Sequence, residues 1–284
     1  MQTNKKLHTA KKNKYDEFYT SIKDIENELQ NYIPYLQNKI IYCNCDTPDS
    51  NFVKYFVDNF EQFKIKQLIA TSYNPNGKGI YFSYNGIKTK IEYLIGNGDF
   101  RSAECTEILK QSDIVITNPP FSLFREYVKQ LYDNNKYYII IGNKNALGYK
   151  EIFPLFKDKR MYIGCTIPKH FVSPDTDKNI MGICNWFTNI LIDKDKPLYI
   201  LRKKYNETDY PKYDNYNGIN VDKTIDIPYN YNGVLGVPIS FIDKYNYQFV
   251  DVNNNPIEFE IVRFRKGDNN KDLSVSGKEK YYRI

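Results

Sequence analysis

Histidine, tryptophan and cysteine are scarce in this 284-residue chain, which holds two, one and five of them. The five cysteines (Cys43, Cys45, Cys105, Cys165 and Cys184) are odd in number and scattered, and none forms a Cys-x-x-Cys pair. Only His8 and His170 could complement them. Neither a metal site nor a disulfide framework is therefore expected, and a reducing compartment is the setting implied. No hydrophobic run reaches membrane-spanning length, and the best candidate, Tyr137–Ile141, is strand-sized. The first twenty residues carry lysines with no apolar stretch behind them, so a secretory leader is not expected. The chain reads as soluble and cytoplasmic, without a membrane partner. No repeat of fixed period is visible.

What is present is aromatic and mildly basic. Aromatic residues make up 16% and apolar residues 41%, enough for a packed core and too much for wholesale disorder. The net charge of +6 is compatible with an anionic partner without requiring one.

Strand-like and helix-like patterns alternate. Ile22, Ile25, Leu29, Ile33 and Leu36 follow helical spacing behind Ser21, a candidate N-cap. Lys39–Cys45 reads as a buried strand that sets Cys43 and Cys45 on one face. Asp46-Thr-Pro-Asp49 ends it, and Ser50 opens a helix whose inner face is Phe52, Val53, Phe56, Val57 and Phe60. Gln67–Tyr73 is the next strand. Two β-rich runs, 80–84 and 87–95, flank Asn85-Gly86, a hairpin signal. A helix over 102–111, a strand over 113–117, a helix through Phe124, Tyr127, Val128 and Leu131, and a strand over 137–141 follow. Residues 146–156 read as helical and 161–164 as a strand. Such alternation predicts an α/β fold, a mostly parallel sheet with helices on both faces. The pattern changes after Leu201, so 202–284 reads as a small β-rich region with strand-like pieces VLGVPISFI, YQFVDV and FEIVRFR.

The sharpest motif is the run 113–121, DIVITNPPF: a buried strand ending in Asn118-Pro119-Pro120-Phe121. In open α/β sheets the ligand crevice lies outside the carboxyl ends of the strands, where this string falls. Two prolines restrict φ twice and remove two N–H groups, leaving a stiff loop with set carbonyl directions. Such a loop suits an exocyclic amine like that of adenine, a poor nucleophile because its lone pair is delocalised into the ring. The Asn118 side-chain oxygen and the Pro119 carbonyl can accept its two hydrogens and free the lone pair, an effect expressed in the transition state. Phe121 can stack on the base. A rigid turn with a core phenylalanine is the structural alternative.

The chain resembles the EcoRI-type adenine-specific DNA methyltransferases. The resemblance is carried by DEFYT (16–20), YCNCDTPDSNF (42–52), LIATSYNP (68–75), GDF (98–100), DIVITNPPF (113–121), IIGNKNA (140–146), NWFTN (185–189) and GVPISFIDKYN (236–246). It implies a Rossmann-like methyltransferase fold using S-adenosylmethionine. Residues 1–201 would form the catalytic domain and 202–284 the DNA target-recognition region. Carried over by position, Asn118, Pro119, Pro120 and Phe121 hold the target adenine. Tyr19 and Thr20 line the methionine end of the cofactor, Asp46 is the acid after the first strand, and Asp99 with Phe100 meets the cofactor's adenine. Two departures stand out. The usual glycine-rich turn is replaced by Asp46-Thr-Pro-Asp-Ser, and no acid closes the strand ending at Tyr73-Asn74. Asp46 and Asp49 are also ordinary turn formers.

The partner implied is double-stranded DNA, held through phosphates with the adenine rotated out of the helix. The setting would be a restriction–modification or orphan modification system, in the first case with a cognate restriction endonuclease encoded nearby. Trp186 reads either as core or as a wall of the base pocket. Lys144, Lys150, Lys169 and His170 sit at strand ends or in loops and are candidates for phosphates, or plain surface residues. Arg263, Arg265 and Lys266 form the densest basic cluster of the C-terminal part. Rival readings are an RNA or protein-glutamine methyltransferase with the same loop, and a non-catalytic DNA-binding scaffold.

Overall fold

β-Branched and aromatic residues concentrate in short runs that form a mixed eight-stranded sheet, buried at its centre and exposed along the edge strand 89–93. The computed structural model of the protein describes residues 19–169, 171–172, 179–180, 184–192, 198–244, 247–259 and 273–279. A small antiparallel sheet joins β1 (Tyr19–Thr20), β9 (Phe171–Val172) and β10 (Asn179–Ile180). The large sheet contains β2 (Ile40–Cys43), β3 (Gln67–Ser72), β4 (Ile80–Tyr84), β5 (Thr89–Tyr93), β6 (Ile114–Thr117), β7 (Tyr137–Asn143), β8 (Tyr162–Ile163) and β11 (Cys184–Thr188). Across it the order is β5-β4-β3-β2-β6-β7-β11-β8. The central four, β3, β2, β6 and β7, run parallel. The strand order reverses between β2 and β6, and the carboxyl ends of strands at such a reversal are where an open α/β sheet sets its ligand crevice.

Helices cover both faces. Serine caps start three of them: Ser21 on α1 (Ile22–Leu29), Ser50 on α3 (Asn51–Asp58) and Ser102 on α4 (Ala103–Gln111). Between the first two lies the short α2 (Ile33–Leu36). Ile25, Leu29, Phe52, Val53 and Phe56 form one apolar cluster with Ile41, Cys43, Leu68, Ile116 and Ile141 of the sheet. The alternate strand residues Tyr42, Val115, Ile140 and Phe187 are buried too. There α5 (Phe124–Asp133) sets the Phe124 ring 5.2 Å from that of Phe187. The α/β sheet with helices on both faces expected from the alternation is the one observed, and its form is the Rossmann-like one that the resemblance implied.

Several local expectations change. The helical run 22–36 breaks in two because Pro34 belongs in the first turn of a new helix. The strand around Tyr42 ends at Cys43, leaving Cys45 half-buried in a turn, because the Asp46 N–H turns aside to the Thr71 carbonyl at 3.1 Å. Residues 146–156 are not one helix: a 3-10 segment covers Lys144–Gly148, and Pro154 opens the separate α6 (Phe153–Lys157). The hairpin loop spans four residues, Asn85 to Lys88, with the Asn85 Oδ1 accepting from the Ile87 and Lys88 N–H groups.

The chain forms two compact units, one of residues 1–146 and 159–192, the other of 147–158 and 193–284. Within the second, β12 (Leu198–Ile200) pairs with β15 (Gln248–Val250), β13 (Ile219–Asn220) with β14 (Leu235–Gly236), and β16 (Ser274–Val275) with β17 (Lys278–Glu279). Its core includes Phe241 stacked on Phe249 at 5.3 Å. VLGVPISFI is only partly strand, because the Pro238 carbonyl accepts from the Phe241 N–H and starts a 3-10 turn, Ile239–Lys244. FEIVRFR lies outside the described residues after Phe259. No helix among the described residues is long and apolar enough to cross a membrane.

One buried carboxyl ties α1 to the chain after β8. Glu28 is 0% exposed. It accepts from the Cys165 N–H at 2.8 Å, the Thr166 N–H and hydroxyl at 2.7 Å, and the Tyr32 hydroxyl at 2.9 Å. Burial outweighs these bonds and raises its pKa above the ordinary 4.5. The folded state therefore holds this proton more tightly than the unfolded chain. From about 4.5 up through the raised value, Glu28 makes stability fall as pH rises. Glu28→Gln should remove that segment of the slope, at a cost in overall stability because its NH₂ faces donors. Urea denaturation across a pH series reads both effects.

Candidate active site

The crevice is built from the carboxyl ends of neighbouring parallel strands. Leaving β2, the chain runs Asn44-Cys45-Asp46 and reaches Ser50, whose hydroxyl accepts from the Val53 N–H at 3.2 Å. Leaving β6, it runs Thr117-Asn118-Pro119-Pro120 into a 3-10 turn, Phe121–Leu123, closed by the Leu123 N–H on the Pro120 carbonyl at 3.0 Å. The two segments meet where the Thr117 hydroxyl donates to the Asp46 carboxylate at 2.5 Å. Asp46 is 8% exposed and Thr117 is buried, so the bond is shielded from water.

Asn118 is half-buried, and its Nδ2 donates to the Thr20 hydroxyl at 3.4 Å. Thr20 comes from β1, and its carbonyl accepts from the Asn51 Nδ2 at 2.8 Å. The structure thus brings Thr20, Asp46 and Asn118 together from segments far apart in sequence. Pro119 is buried, while Phe121 is half-buried and packs against the core cluster. The neighbouring Tyr19 belongs to the described backbone only.

The turn after β2 has no glycine because none of its residues needs one: positive φ is absent between Asn44 and Ser50. Glycine is required one strand away. Gly98 has φ +79°, and a Cβ there would lie 2.1 Å from the Ser72 carbonyl oxygen. One on Gly79 would meet the same oxygen at 2.5 Å. These close backbone approaches at the end of β3 deliver Asp99 and Phe100. Asp99 Oδ1 accepts from the Arg101 N–H and Nε at 2.9 Å, and its Oδ2 from the guanidinium at 2.7 Å. The Arg101 guanidinium holds the Asp99 carboxyl below the usual carboxylate range. Phe100 is buried, with its ring 5.0 Å from that of Tyr127. At the end of β3, Asn74 spends its amide on its own loop, on the Lys78 carbonyl and the Asn76 N–H, and Tyr73 is 48% exposed.

The sequence patterns did not single out Asn44, Asn51, Thr117, Tyr127 or Gln130 for the site. The Tyr127 hydroxyl donates to the buried Asn44 Oδ1. Gln130 donates to the Phe100 carbonyl at 2.8 Å and to the Thr106 hydroxyl at 3.2 Å. Both stand on α5, so the helix that follows the Asn-Pro-Pro-Phe loop braces the other two segments. Their spacing of three, on the helix directly after that loop, was the available signal.

Other predicted residues lie elsewhere. Trp186 is 0% exposed on β11, inside the apolar cluster and edge-on to Phe52 at 6.1 Å, a burial that favours the core reading. Lys144 begins the 3-10 turn after β7, and Lys150 is exposed in the second unit. Lys169 is exposed, and its N–H reaches the Asp24 carboxylate at 3.1 Å. His170, Arg263, Arg265 and Lys266 lie outside the described residues. Among the described residues no three His, Cys, Asp or Glu side chains gather as a metal site.

An acid and an Asn-Pro-Pro-Phe loop on adjacent parallel strands, beside the order reversal of a Rossmann-like sheet, are the arrangement expected of a methyltransferase, and comparison with known proteins shows that class. The chain belongs to the adenine-specific methyltransferase EcoRI family, whose family model matches residues 6–284. It is 44% identical to the Type II methyltransferase M.EcoRI of Escherichia coli, over 99% of this chain and 96% of that protein. It is 37% identical to M.MgeORF184P of Mycoplasma genitalium, over 98% of this chain and 97% of the relative. It is 35% identical to M.MpnI of Mycoplasma pneumoniae, over 98% and 96%. Both are also Type II methyltransferases by name. No solved structure shows a significant match.

Two substitutions test the scaffold of the site. Gly98→Ala should cost about 2 kcal/mol or more, from the forced φ and the contact with Ser72. Tyr127→Phe should cost about 1–2 kcal/mol by removing the hydroxyl donor of the buried Asn44 oxygen and leaving it the weak Cys45 thiol at 4.0 Å. Chemical denaturation measures both.

Proposed function

We propose that this methyltransferase acts on DNA at the adenine 6-amino group, at a specific site, with S-adenosylmethionine as donor and the adenine rotated out of the duplex. The observation that carries the reading is the meeting of Asp46, Asn118 and Thr20 at one crevice, joined by the Thr117–Asp46 and Asn118–Thr20 hydrogen bonds. The residues present suit such a donor. Asp46 offers a carboxylate to an ammonium group, and the first N–H groups of α3 suit a carboxylate. Asp99 and Phe100 suit an adenine ring. Bound S-adenosylmethionine would supply a methyl carbon activated by sulfonium.

The chain's own residues do the rest. Asn118 Oδ1 and the Pro119 carbonyl accept the two hydrogens of the target amine and turn its lone pair toward the methyl carbon. The proline pair keeps those acceptors from reorienting. Phe121 holds the base by its exposed part. The nitrogen is acidic once methylated, so water can take its proton, and Cys105, Cys165 and Cys184 have no part in the reaction.

We assign catalysis to residues 1–201 and target recognition to 202–284, with Lys144, Lys150, Arg263, Arg265 and Lys266 as phosphate contacts. Tyr19 would line the methionine end of the donor site. The Type II name of the relatives supports a restriction–modification setting with a cognate endonuclease.

Incubation with methyl-labelled S-adenosylmethionine and duplex DNA should place label on adenine N6. Label in RNA or protein instead would overturn the substrate assignment. Asn118→Ala should lower turnover by at least about 100-fold while cofactor and DNA affinity change little.

A further inference from the structure

One edge of the large sheet is bare. Among the described residues no strand pairs with the outer side of β5, and all five of its residues are exposed. Its side chains still sort by face. Ile91 stands opposite Phe82 and Thr89 opposite Tyr84, on the face that packs into the core cluster. By alternation Tyr93 continues that face, with Ile87 and Ile95 just past the strand's ends. Ile87 and Ile95 are 86% exposed, Tyr93 77% and Ile91 59%. Lys90 and Glu92 share the other face, joined by an ion pair of 2.7 Å. An apolar stripe on an unpaired edge is a template for another strand.

Backbone and charge together select that strand. The Leu94 N–H donates to the Gly79 carbonyl at 2.9 Å, and the Lys88 carbonyl accepts from the Asn85 N–H at 3.4 Å, so the even-numbered peptide groups face β4. By the antiparallel alternation, those of Thr89, Ile91 and Tyr93 face outward. A second β5, laid antiparallel about a two-fold axis at Ile91, satisfies all of them. Ile91 then stands opposite Ile91 of the other copy, and Thr89 opposite Tyr93 twice. The apolar stripes meet, and each Lys90 stands opposite a Glu92. Moving the axis to Lys90 or to Glu92 would set like charges against each other. A lysine on an edge strand ordinarily discourages pairing, but in this register Lys90 finds an acid.

We propose that β5 is the interface of a homodimer, in which two copies of this chain join edge to edge into one continuous sheet centred on Ile91. Because one patch serves both copies, the contact closes on itself and does not propagate. This pairing is independent of the substrate assigned above.

Sedimentation equilibrium of the full chain over a concentration series should show a monomer–dimer equilibrium. Lys90→Glu alone and Glu92→Lys alone each oppose like charges at both crossings. Each should weaken the dimer about tenfold, with the far-UV circular dichroism spectrum unchanged. Mixed in equal amounts, the two variants should restore association, because every crossing then pairs acid with base. The double variant should do the same. Ile91→Lys, which sets two ammonium groups across the axis, should leave monomer. A chain that is monomeric at every concentration, whether its edge is bare or covered by another segment, overturns the proposal. So does a dimer that these substitutions leave intact, or one that mixing fails to restore.

Discussion

One hydrogen bond, from the Thr117 hydroxyl to the Asp46 carboxylate at 2.5 Å, joins the two halves of the crevice. An open parallel sheet diverges where its strand order reverses, and loops leaving there have no ladder to hold them. Here the acid turn after β2 and the Asn-Pro-Pro-Phe loop after β6 are closed on each other by a charge-assisted bond away from water. Neither segment can shift without stretching that bond or exposing the carboxylate. Asp46 also anchors its own turn to β3 through its N–H on Thr71, so three successive strands of the sheet order share one constraint.

Around this link the support is arranged on rigid elements. α5 begins just after the loop and returns two side chains, Tyr127 to Asn44 and Gln130 to the Phe100 carbonyl. From the other side, α3 begins at Ser50 and sends Asn51 to Thr20. Side chains on helices are held more closely than side chains on loops, and that precision is what a reaction at a single nitrogen requires. The loop contributes the acceptors, and the helices decide where they stand.

Much of this was legible in local patterns. The serine caps at Ser21, Ser50 and Ser102, the strand over Ile114–Thr117 and the apolar stripe of α5 each follow from spacing within a few residues. Three of the misread stretches share a cause, proline. Pro34, Pro154 and Pro238 sit inside runs whose hydrophobic period continues past them, yet each begins a new element or turn. The missing glycine of the acid turn looked like a departure from the family pattern. It follows from a turn whose φ angles all stay negative, while the strained positions fall at Gly98, beside Asp99.

Alternation, capping and the Asn-Pro-Pro-Phe string belong to the sequence alone, because backbone sterics and hydrophobic period act between near neighbours. They sufficed for the fold class, the order of elements and the candidate loop. Which side chains complete that loop was decided only by tertiary structure. Asp46 and Thr117 are 71 residues apart and Thr20 and Asn118 are 98 apart, and no period connects them. Their meeting depends on strand order across the sheet, which is set by how whole faces of helices and strands bury one another. The same packing divided the aromatic residues, enclosing Trp186 in the core and leaving Phe121 half-exposed at the crevice.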